Sequence, residues 1–487
     1  MKSKHTQSST VLAIVLAACM GLTGCSGKPT ESSVKEPSSN HATSTTREEY
    51  EPIIGTTTEA TQNVGGNTQA TTTAKESTVT AKPSVNHPTP ESESIYKAIR
   101  GTTVRIPVFS APDKAVKSRQ AAFEKAYGAK VEFTVYGWND WRTKIMQLIA
   151  SNNAPDVTPI FDEQFLVYVA RGVIQPIESF VDKKAPSWDP KLLELYSWGG
   201  KLYGVATNAS LISIYYNKDM FEDKGLPDPY ALYKQGKWDF EAFTTAAKEL
   251  TSFRGETRMT TGFATWIWDV LCLANGATGI SLSNEKKDIS ITLNSEAYLK
   301  GLETIQKMEL VDKSYVHTMK QDSAFQSGKV AMIAERPWLA VGAFDLHKTG
   351  SFDIGWVPLP KGPNVKGEVA PAIVEAWGVP VGAVNPKGGM AWVYYGSIFE
   401  ADQIATNDPV YFESFNKTWK ADQYEAYMEY MKRSTLVCSF INGVGDWYPN
   451  KRNGLWMEIF ETGTPPATAV EKHKAELQYE ISQILKK

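Results

Sequence analysis

The chain has 487 residues and a formal net charge of −3, with 42% hydrophobic and 11% aromatic residues. This charge argues against a nucleic-acid-binding protein, because such proteins carry a basic face for the phosphates. The length is enough for two domains beside any unfolded segment, and the aromatic content leaves rings that could face a ligand.

The N-terminus has the pattern of a bacterial secretion signal. Lys2 and Lys4 precede an apolar run, Val11 to Met20, which is too short to span a bilayer. The next residues, Leu22-Thr23-Gly24-Cys25, resemble a lipobox, in which cleavage before the cysteine leaves lipid on its sulfur and usually on its amine. We therefore predict a signal peptide over 1–24 and a lipidated Cys25 that anchors the protein to the extracellular face of the cell membrane. An ordinary secretory signal with an incidental cysteine is the alternative.

A polar segment follows the cysteine. Residues 26–94 consist mostly of Ser, Thr, Pro, Glu, Asn and Gly, with almost no large apolar side chain. Such a composition cannot build a core, so we predict that 25–94 comprises the lipidated cysteine and a disordered tether. As a flexible coil the tether would span roughly 45 Å.

The folded region, 95–487, begins with a β-α-β pattern. Thr103–Phe109 alternates like a strand, Ala115–Tyr127 has helical spacing before Gly128, and Lys130–Tyr136 alternates again. This order predicts a parallel sheet with a right-handed crossover.

The pattern then repeats. Trp141–Ala150 is typical of a second helix, and Asp156–Phe161 of a further strand. In open parallel sheets ligands bind beyond the carboxyl ends of the strands. We therefore expect Phe109, Tyr136 and Asp162, which lie at or just after strand ends, near a binding site.

Few residues are suited to metal or covalent chemistry. Cys272 and Cys438 are the only cysteines after Cys25, and we favour two buried thiols over a disulfide, although sequence separation decides neither. The histidines of the folded region, His317, His347 and His473, lack zinc-site spacing. The chain also lacks GxSxG, HExxH and GxxxxGK[ST], so we expect no metal, no cofactor and no enzymatic activity.

Several short segments occur in the order seen in one protein family. From about residue 100 to 487 the chain resembles the sugar-type extracellular solute-binding proteins of ABC importers, such as the maltodextrin-binding proteins. Ala206-Thr207 departs from the pattern, since the family usually has a proline there. The matching segments are Phe123-Glu124-Lys125, Ala154-Pro155-Asp156-Val157, Gly172–Ile177, Gly200–Val205, Tyr215–Phe221, Trp238–Phe243, Phe325–Met332 and Pro358-Leu359-Pro360.

The resemblance implies an α/β fold of two lobes, the periplasmic-binding-protein fold. Each lobe would be a mostly parallel sheet flanked by helices, with a solute held in the cleft between them. Asn208–Tyr216 and Ala372–Val381 would be the hinge strands. The implied lobe boundaries are about 96–209 with 375–430 for the first lobe, and about 213–372 with 435–487 for the second.

The resemblance also implies a carbohydrate ligand, so aromatic rings with polar neighbours at the cleft are the candidate ligand-binding residues. Glu375 and Trp377 lie two apart on the second hinge strand and would share one face. The full set of candidates is Trp377, Glu375, Trp266, Trp338, Asp162, Trp138, Arg336, Trp447 and Trp456.

Ordinary structural roles compete with several of these assignments. One of Trp266 and Trp268 should face the core, and Trp456 lies in a helix-like pattern that would also suit burial. Arg336 could form a surface ion pair of little energetic value. Asp140, beside Trp138, could be a helix N-cap instead of a hydroxyl acceptor.

The functional hypothesis is a monomeric, lipid-anchored binding protein that delivers an oligosaccharide to the membrane subunits of an ABC permease. One alternative is a surface lipoprotein that senses or retains polysaccharide without transport. Another is a glycoside hydrolase, which would need two carboxylates facing each other across a sugar, and Asp162, Glu335 and Glu375 are the candidates.

Changing Cys25 to Ser should abolish lipid attachment, because the thiol that would accept the lipid is gone. Metabolic labelling with a fatty-acid analogue measures this directly. Undiminished label on the variant would contradict the lipobox interpretation.

Overall fold

The computed structural model describes residues 97–137, 140–181, 188, 190–283, 285, 288–318, 320–337, 352–405, 421–444 and 452–486. The signal peptide, Cys25 and the tether therefore lie outside the described residues. Among the described helices, none is both long and apolar enough to cross a membrane.

The described part of the chain alternates between strands and helices, as the sequence predicts. The strands are β1 (Thr103–Val108), β2 (Lys130–Val135), β3 (Thr158–Phe161), β4 (Ile174–Gln175), β5 (Ser197–Trp198), β6 (Lys201–Leu202), β7 (Val205–Leu211), β8 (Ser213–Asn217), β9 (Ser252–Arg254), β10 (Thr257–Thr265), β11 (Ile280–Ser283), β12 (Asp288–Ile291), β13 (Tyr315–His317), β14 (Val330–Glu335), β15 (Ile354–Pro358), β16 (Val369–Pro380) and β17 (Thr435–Val437).

Helices connect most of these strands. They are α1 (Lys114–Tyr127), α2 (Trp141–Ala150), α3 (Asp162–Ala170), α4 (Pro190–Leu195), α5 (Lys218–Asp223), α6 (Pro229–Lys234), α7 (Phe240–Glu249), α8 (Val270–Ala274), α9 (Glu296–Leu310), α10 (Gln321–Gln326), α11 (Pro386–Ala405), α12 (Ala421–Arg433), α13 (Arg452–Phe460) and α14 (Pro466–Leu485).

The predicted β-α-β start is confirmed. Strands β1 and β2, which precede and follow α1 in the chain, pair with each other in parallel. Asp113 caps the start of α1 by accepting a hydrogen bond from the Val116 N–H, and Gly128 ends the helix with a φ of 66°. Residues other than glycine rarely adopt that left-handed conformation, which explains why glycine marks this end.

A six-stranded sheet forms the centre of one half of the fold. Its main order is β13-β10-β14-β8-β15, with β9 at the edge of β10. Strand β10 is parallel to β13 and β14, whereas β8 is antiparallel to both of its neighbours. The carboxyl ends of β10, β13 and β14 therefore lie along one edge of this sheet.

The second sheet is built around β16, a strand of 12 residues. It pairs in parallel with β17 and antiparallel with β7, β3 and β4, so this five-stranded sheet is mixed and not mostly parallel as predicted. The first predicted hinge segment, Asn208–Tyr216, is two strands rather than one, because β7 pairs with β16 while β8 belongs to the six-stranded sheet. Ile212 separates them, and its N–H donates to the Pro371 carbonyl.

Helix α12 bonds to the backbone at two places where the chain passes from one sheet to the other. The Tyr427 hydroxyl accepts a hydrogen bond from the Leu211 N–H at 3.1 Å, at the end of β7. One turn later, the Tyr430 hydroxyl donates to the Val369 carbonyl at the start of β16. Both rings also pack near Trp356 of β15. The helix thus ties together backbone groups at both crossings.

Apolar side chains form two core clusters. The smaller one contains Phe123 and Trp392 and covers β1 and β2, and the larger one includes Phe263 of β10 and Tyr216 of β8. Within the described part of the chain Cys272 and Cys438 are free thiols, the first buried and the second partly exposed. Their predicted unpaired state is confirmed, but full burial holds only for Cys272.

Replacing Tyr427 with Phe should destabilise the protein by about 1–3 kcal/mol, because the buried Leu211 N–H loses its hydrogen-bond acceptor. Urea denaturation would measure the change. Tyr479→Phe removes a hydroxyl from a ring that is 59% exposed on α14 and serves as the control. Equal stabilities of the two variants would contradict this role of Tyr427.

Candidate functional site

The parallel strands of the six-stranded sheet bring three loop starts together. Thr265, the last residue of β10, is in register with His317, the last residue of β13. Ala264 is in register with Ile333 of β14, so Trp266 and Arg336 both follow strands that end at this edge. This is where α/β sheets place ligands.

Glu335, at the end of β14, organises this edge. It is fully buried. One carboxylate oxygen, Oε1, accepts from the Arg336 N–H at 2.8 Å and from Arg336 Nε at 3.3 Å. The other, Oε2, accepts from the Trp266 indole N–H and from Gln321 Nε2. The Arg336 guanidinium lies over the Trp266 ring, 5.6 Å from its centroid.

The β16 sheet contributes two carboxyl groups. Glu375 of β16 is in register with Phe161, the last residue of β3, and Asp162 follows directly at the start of α3. Tyr196 lies beside them, fully buried, and its hydroxyl donates to the Val374 carbonyl at 2.6 Å. Asp162 and Glu375 both raise the pKa of this tyrosine beyond what burial does.

Three carboxyl groups of the site have raised pKa values. Burial raises the pKa of Asp162 to about 7, and the neighbouring Glu163 adds to the effect. Burial likewise raises the pKa of Glu375 to about 7. The pKa of Asp322 on α10 is also about 7, through burial and the nearby charge of Glu335.

Arg336 links the two halves of the site electrostatically. Its positive charge opposes the rise in pKa at Asp162, Glu375 and Asp322 alike. Since Coulomb interactions fall with distance, all three carboxyl groups must lie within reach of this one guanidinium. The six-stranded sheet supplies Arg336, and the β16 sheet supplies Asp162 and Glu375.

Groups of this kind suit an uncharged ligand that is rich in hydroxyl groups. Near neutral pH, carboxyls with a pKa of about 7 are divided between the protonated form, which can donate, and the ionised form, which only accepts. A guanidinium only donates, and an indole ring offers an apolar face. Hydroxyl groups can bond to either type of partner, while the carbon skeleton of the ligand contacts the ring.

Of the predicted set, the structure places Arg336 over Trp266, and the charge of Arg336 acts on Asp162 and Glu375. Trp266 is partly exposed while Trp268 is buried, which fits the expectation that one of the two faces the core. Arg336 does not form a surface pair, because its partner Glu335 is a fully buried carboxylate. Trp456, on α13, lies near the end of β13, with its ring centroid 5.1 Å from that of His317.

Other predicted positions differ in their surroundings. Trp377 and Glu375 are both partly exposed, and the residue between them is buried, as expected for one strand face. Trp377 nevertheless packs against the smaller core cluster, so core packing accounts for part of its surface. Asp140 occupies the N-cap position of α2 but its side chain makes no capping bond. Trp138, Trp338, Trp447 and Cys25 lie outside the described residues.

Sequence reasoning missed two contributors, Asp322 and Tyr196. Asp322 follows β13 by a few residues, so the strand-end rule that selected Asp162 could also have found it. Tyr196 follows α4 and carries no local signal.

Phe109 and Phe161, two of the strand-end aromatics, do approach each other, with ring centroids 5.7 Å apart, and Trp141 lies 4.1 Å from Phe109.

Comparison with known proteins extends these observations. The family of bacterial extracellular solute-binding proteins matches residues 107–396. A galactooligosaccharide-binding protein of Bacillus subtilis is 23% identical over 287 residues, which are 57% of this chain and 64% of that protein. The chain spans about half the length of other curated relatives that it matches.

Two solved structures are similar to this chain. An ABC substrate-binding protein of Listeria monocytogenes in complex with cycloalternan has a TM-score of 0.58 at 22% identity, covering 79% of this chain and 98% of that one. A protein of Mycobacterium tuberculosis in complex with glycerophosphocholine has a TM-score of 0.61 at 16% identity, covering 79% of this chain and 99% of that one. These similarities confirm the predicted two-lobed α/β fold.

The stability of the unliganded protein should fall as pH rises from about 4 to about 7. In that window the folded state keeps protons on Asp162 and Glu375 that the unfolded chain has released, so rising pH favours unfolding. The Glu375→Gln variant lacks one of these groups, and its Tm should fall less between pH 5 and pH 7.5 than that of the wild type. Glu471→Gln, on the exposed side of α14, controls for the change in net charge. A Glu375→Gln variant with the pH dependence of the wild type would contradict the assignment.

Proposed function

Because the chain belongs to the bacterial extracellular solute-binding proteins, we propose that it captures an oligosaccharide in the cleft between its lobes and delivers it to the permease of an ABC importer. The single observation that carries the carbohydrate assignment is the grouping of Trp266, Arg336, Asp162 and Glu375. Carbohydrates combine apolar ring faces with dense hydroxyl groups, and this grouping offers partners for both.

The charge of the site favours a neutral ligand over a phosphate-bearing one. The Arg336 guanidinium interacts electrostatically with three carboxyl groups of raised pKa, and Glu335 already bonds to it. A phosphate would approach carboxyl groups that ionise near neutral pH, and like charges at short distance repel. A neutral sugar incurs no such cost.

Binding by both lobes would couple the ligand to closure. Arg336 and Trp266 belong to the six-stranded sheet, whereas Asp162 and Glu375 belong to the β16 sheet. A sugar that contacts both sets stabilises the closed state, since a ligand shifts an equilibrium only by its different affinities for the two states. The permease would then recognise the closed, loaded form.

Attachment to the membrane completes the proposal. Cys25 carries the lipid, and residues 26–94 are the tether that lets the binding domain reach both solute and permease. Membership of an extracellular family supports a location outside the cytoplasmic membrane. The binding domain acts as a monomer, with its lobes at about 96–209 with 375–430 and 213–372 with 435–487.

Two other functions use the same cleft. A surface lipoprotein that senses or retains polysaccharide would bind the same sugars without a permease. A glycoside hydrolase would use paired carboxyls, and the occupation of Glu335 by Trp266 and Arg336 leaves Asp162 and Glu375 as its candidates. Membership of a family of binding proteins favours capture over cleavage.

A thermal-shift panel of neutral oligosaccharides tests the proposal. It includes cycloalternan and linear gluco-, manno- and galacto-oligosaccharides, with glycerophosphocholine as the phosphate-bearing comparison. A ligand at 100 times its Kd should stabilise the protein by about 2.7 kcal/mol.

At least one sugar should raise the Tm and be recovered intact after incubation. Stabilisation by glycerophosphocholine alone, or by no compound, would contradict the proposal. Cleavage of the bound sugar would favour the hydrolase instead.

A further inference from the structure

We propose that Glu335 is the positioning residue of the cleft, which holds the Trp266 indole and the Arg336 guanidinium in the arrangement that meets the ligand. This inference rests on the proposed function, since it assigns the ligand-binding surface to Trp266 and Arg336. Glu335 itself does not touch the ligand, because it is fully buried beneath them.

The hydrogen bonds of Glu335 are those of a side chain that orients its neighbours. Each carboxylate oxygen accepts two bonds: Oε1 accepts from the backbone N–H and the Nε–H of Arg336, and Oε2 accepts from Trp266 and Gln321. The two oxygens have about four lone-pair directions, and four donors point at them. Little acceptor capacity remains for a ligand.

These bonds fix the ring and the cation relative to each other. The indole N–H and the Arg336 Nε bind opposite oxygens of the same rigid carboxylate, while the guanidinium lies over the ring. A cation over an aromatic face is itself favourable. Neither side chain can turn without breaking its bond to Glu335, so the apolar and the polar contact are presented together.

The same carboxylate also connects separate elements of the chain. Trp266 follows β10, Glu335 ends β14, and Gln321 begins α10, where the next residue is Asp322. A buried charge is retained only when it is well paired, and here the pairing is made by groups of the site itself. The buried charge thus has a use in binding that an apolar residue could not supply.

Glutamine at 335 separates the positioning role from packing. It has nearly the shape of glutamate, but its NH2 group donates and cannot accept. Either the Trp266 N–H or the Arg336 donors must therefore lose an acceptor. The orientation of one of them is released while the volume of the core is kept.

A double-mutant cycle on the full mature protein tests the proposal. Calorimetry would measure the Kd of wild type, Glu335→Gln, Trp266→Ala and the double variant, with the panel sugar that stabilises the wild type most. We expect Glu335→Gln to weaken binding tenfold or more, which is about 1.4 kcal/mol. In the Trp266→Ala background the same change should weaken binding much less, because the ring that Glu335 orients is already absent.

The matched control is Glu309→Gln, a partly buried carboxyl on α9 whose charged neighbours are Arg258, Lys313 and Glu461, none of them a proposed site residue. Its Kd should equal that of the wild type. Trp266→Phe keeps an aromatic ring but removes the N–H donor to Glu335. It should also weaken binding, and it carries the test if Glu335→Gln fails to fold.

Each remaining outcome has a distinct meaning. Wild-type affinity in Glu335→Gln, or in Trp266→Phe if Glu335→Gln does not fold, would overturn the proposal. Equal losses in the two backgrounds of the cycle would overturn its claim that Glu335 orients Trp266. If no panel sugar binds the wild type, the proposed function fails before any variant is measured. The two failures are thus distinguishable.

Discussion

The pairing of β16 with four other strands is the constraint on which the architecture depends. This strand bonds to β17 near its start, to β7 and β3 along its length, and to β4 at its end. It therefore fixes the position of Glu375 relative to Phe161, and with it that of Asp162. One half of the site is thus set by backbone hydrogen bonds before any ligand arrives.

The other half is set by side chains. Parallel strands β10, β13 and β14 end at one edge, but parallel alignment alone does not orient Trp266 or Arg336. That requires the buried Glu335 carboxylate, whose four donors come from three separate segments.

Charge balance joins the two halves. Arg336 favours the ionised forms of Asp162 and Glu375, while burial resists their ionisation. A ligand that bonds to these groups replaces water around them and so changes how readily the two carboxyl groups ionise. In two-lobed binding proteins, closure around a ligand is a hinge motion.

Local pattern was enough to predict much of the fold. The bounds of α2, 141–150, agree with the predicted helix. Strand β16, 369–380, starts three residues earlier than the predicted strand, 372–381, and ends one residue earlier. The break at Ile212 could not be predicted, because both flanking segments favour strands and only their distant pairing partners separate them. These pairing partners are distant in the chain, so the local sequence does not predict them.

The site was predictable only in part, for a related reason. Asp162, Trp266, Arg336 and Glu375 follow or lie on strands at places where ligands bind in this fold class, so position along the chain was enough to propose them. The sequence made Glu335 a candidate hydrolytic carboxylate. In the structure it is buried and accepts hydrogen bonds from four donors, which the sequence could not predict. Asp322 and Tyr196 come close to the site only through tertiary packing.

A crystal structure of the protein with its tightest-binding oligosaccharide would test the central claim most directly. The account predicts a sugar ring against Trp266, with hydroxyl groups bonded to Arg336 from one lobe and to Asp162 or Glu375 from the other. Glu335 should keep its bonds to Trp266 and Arg336 and make none to the sugar. A sugar bound away from these residues, or held by one lobe alone, would contradict it.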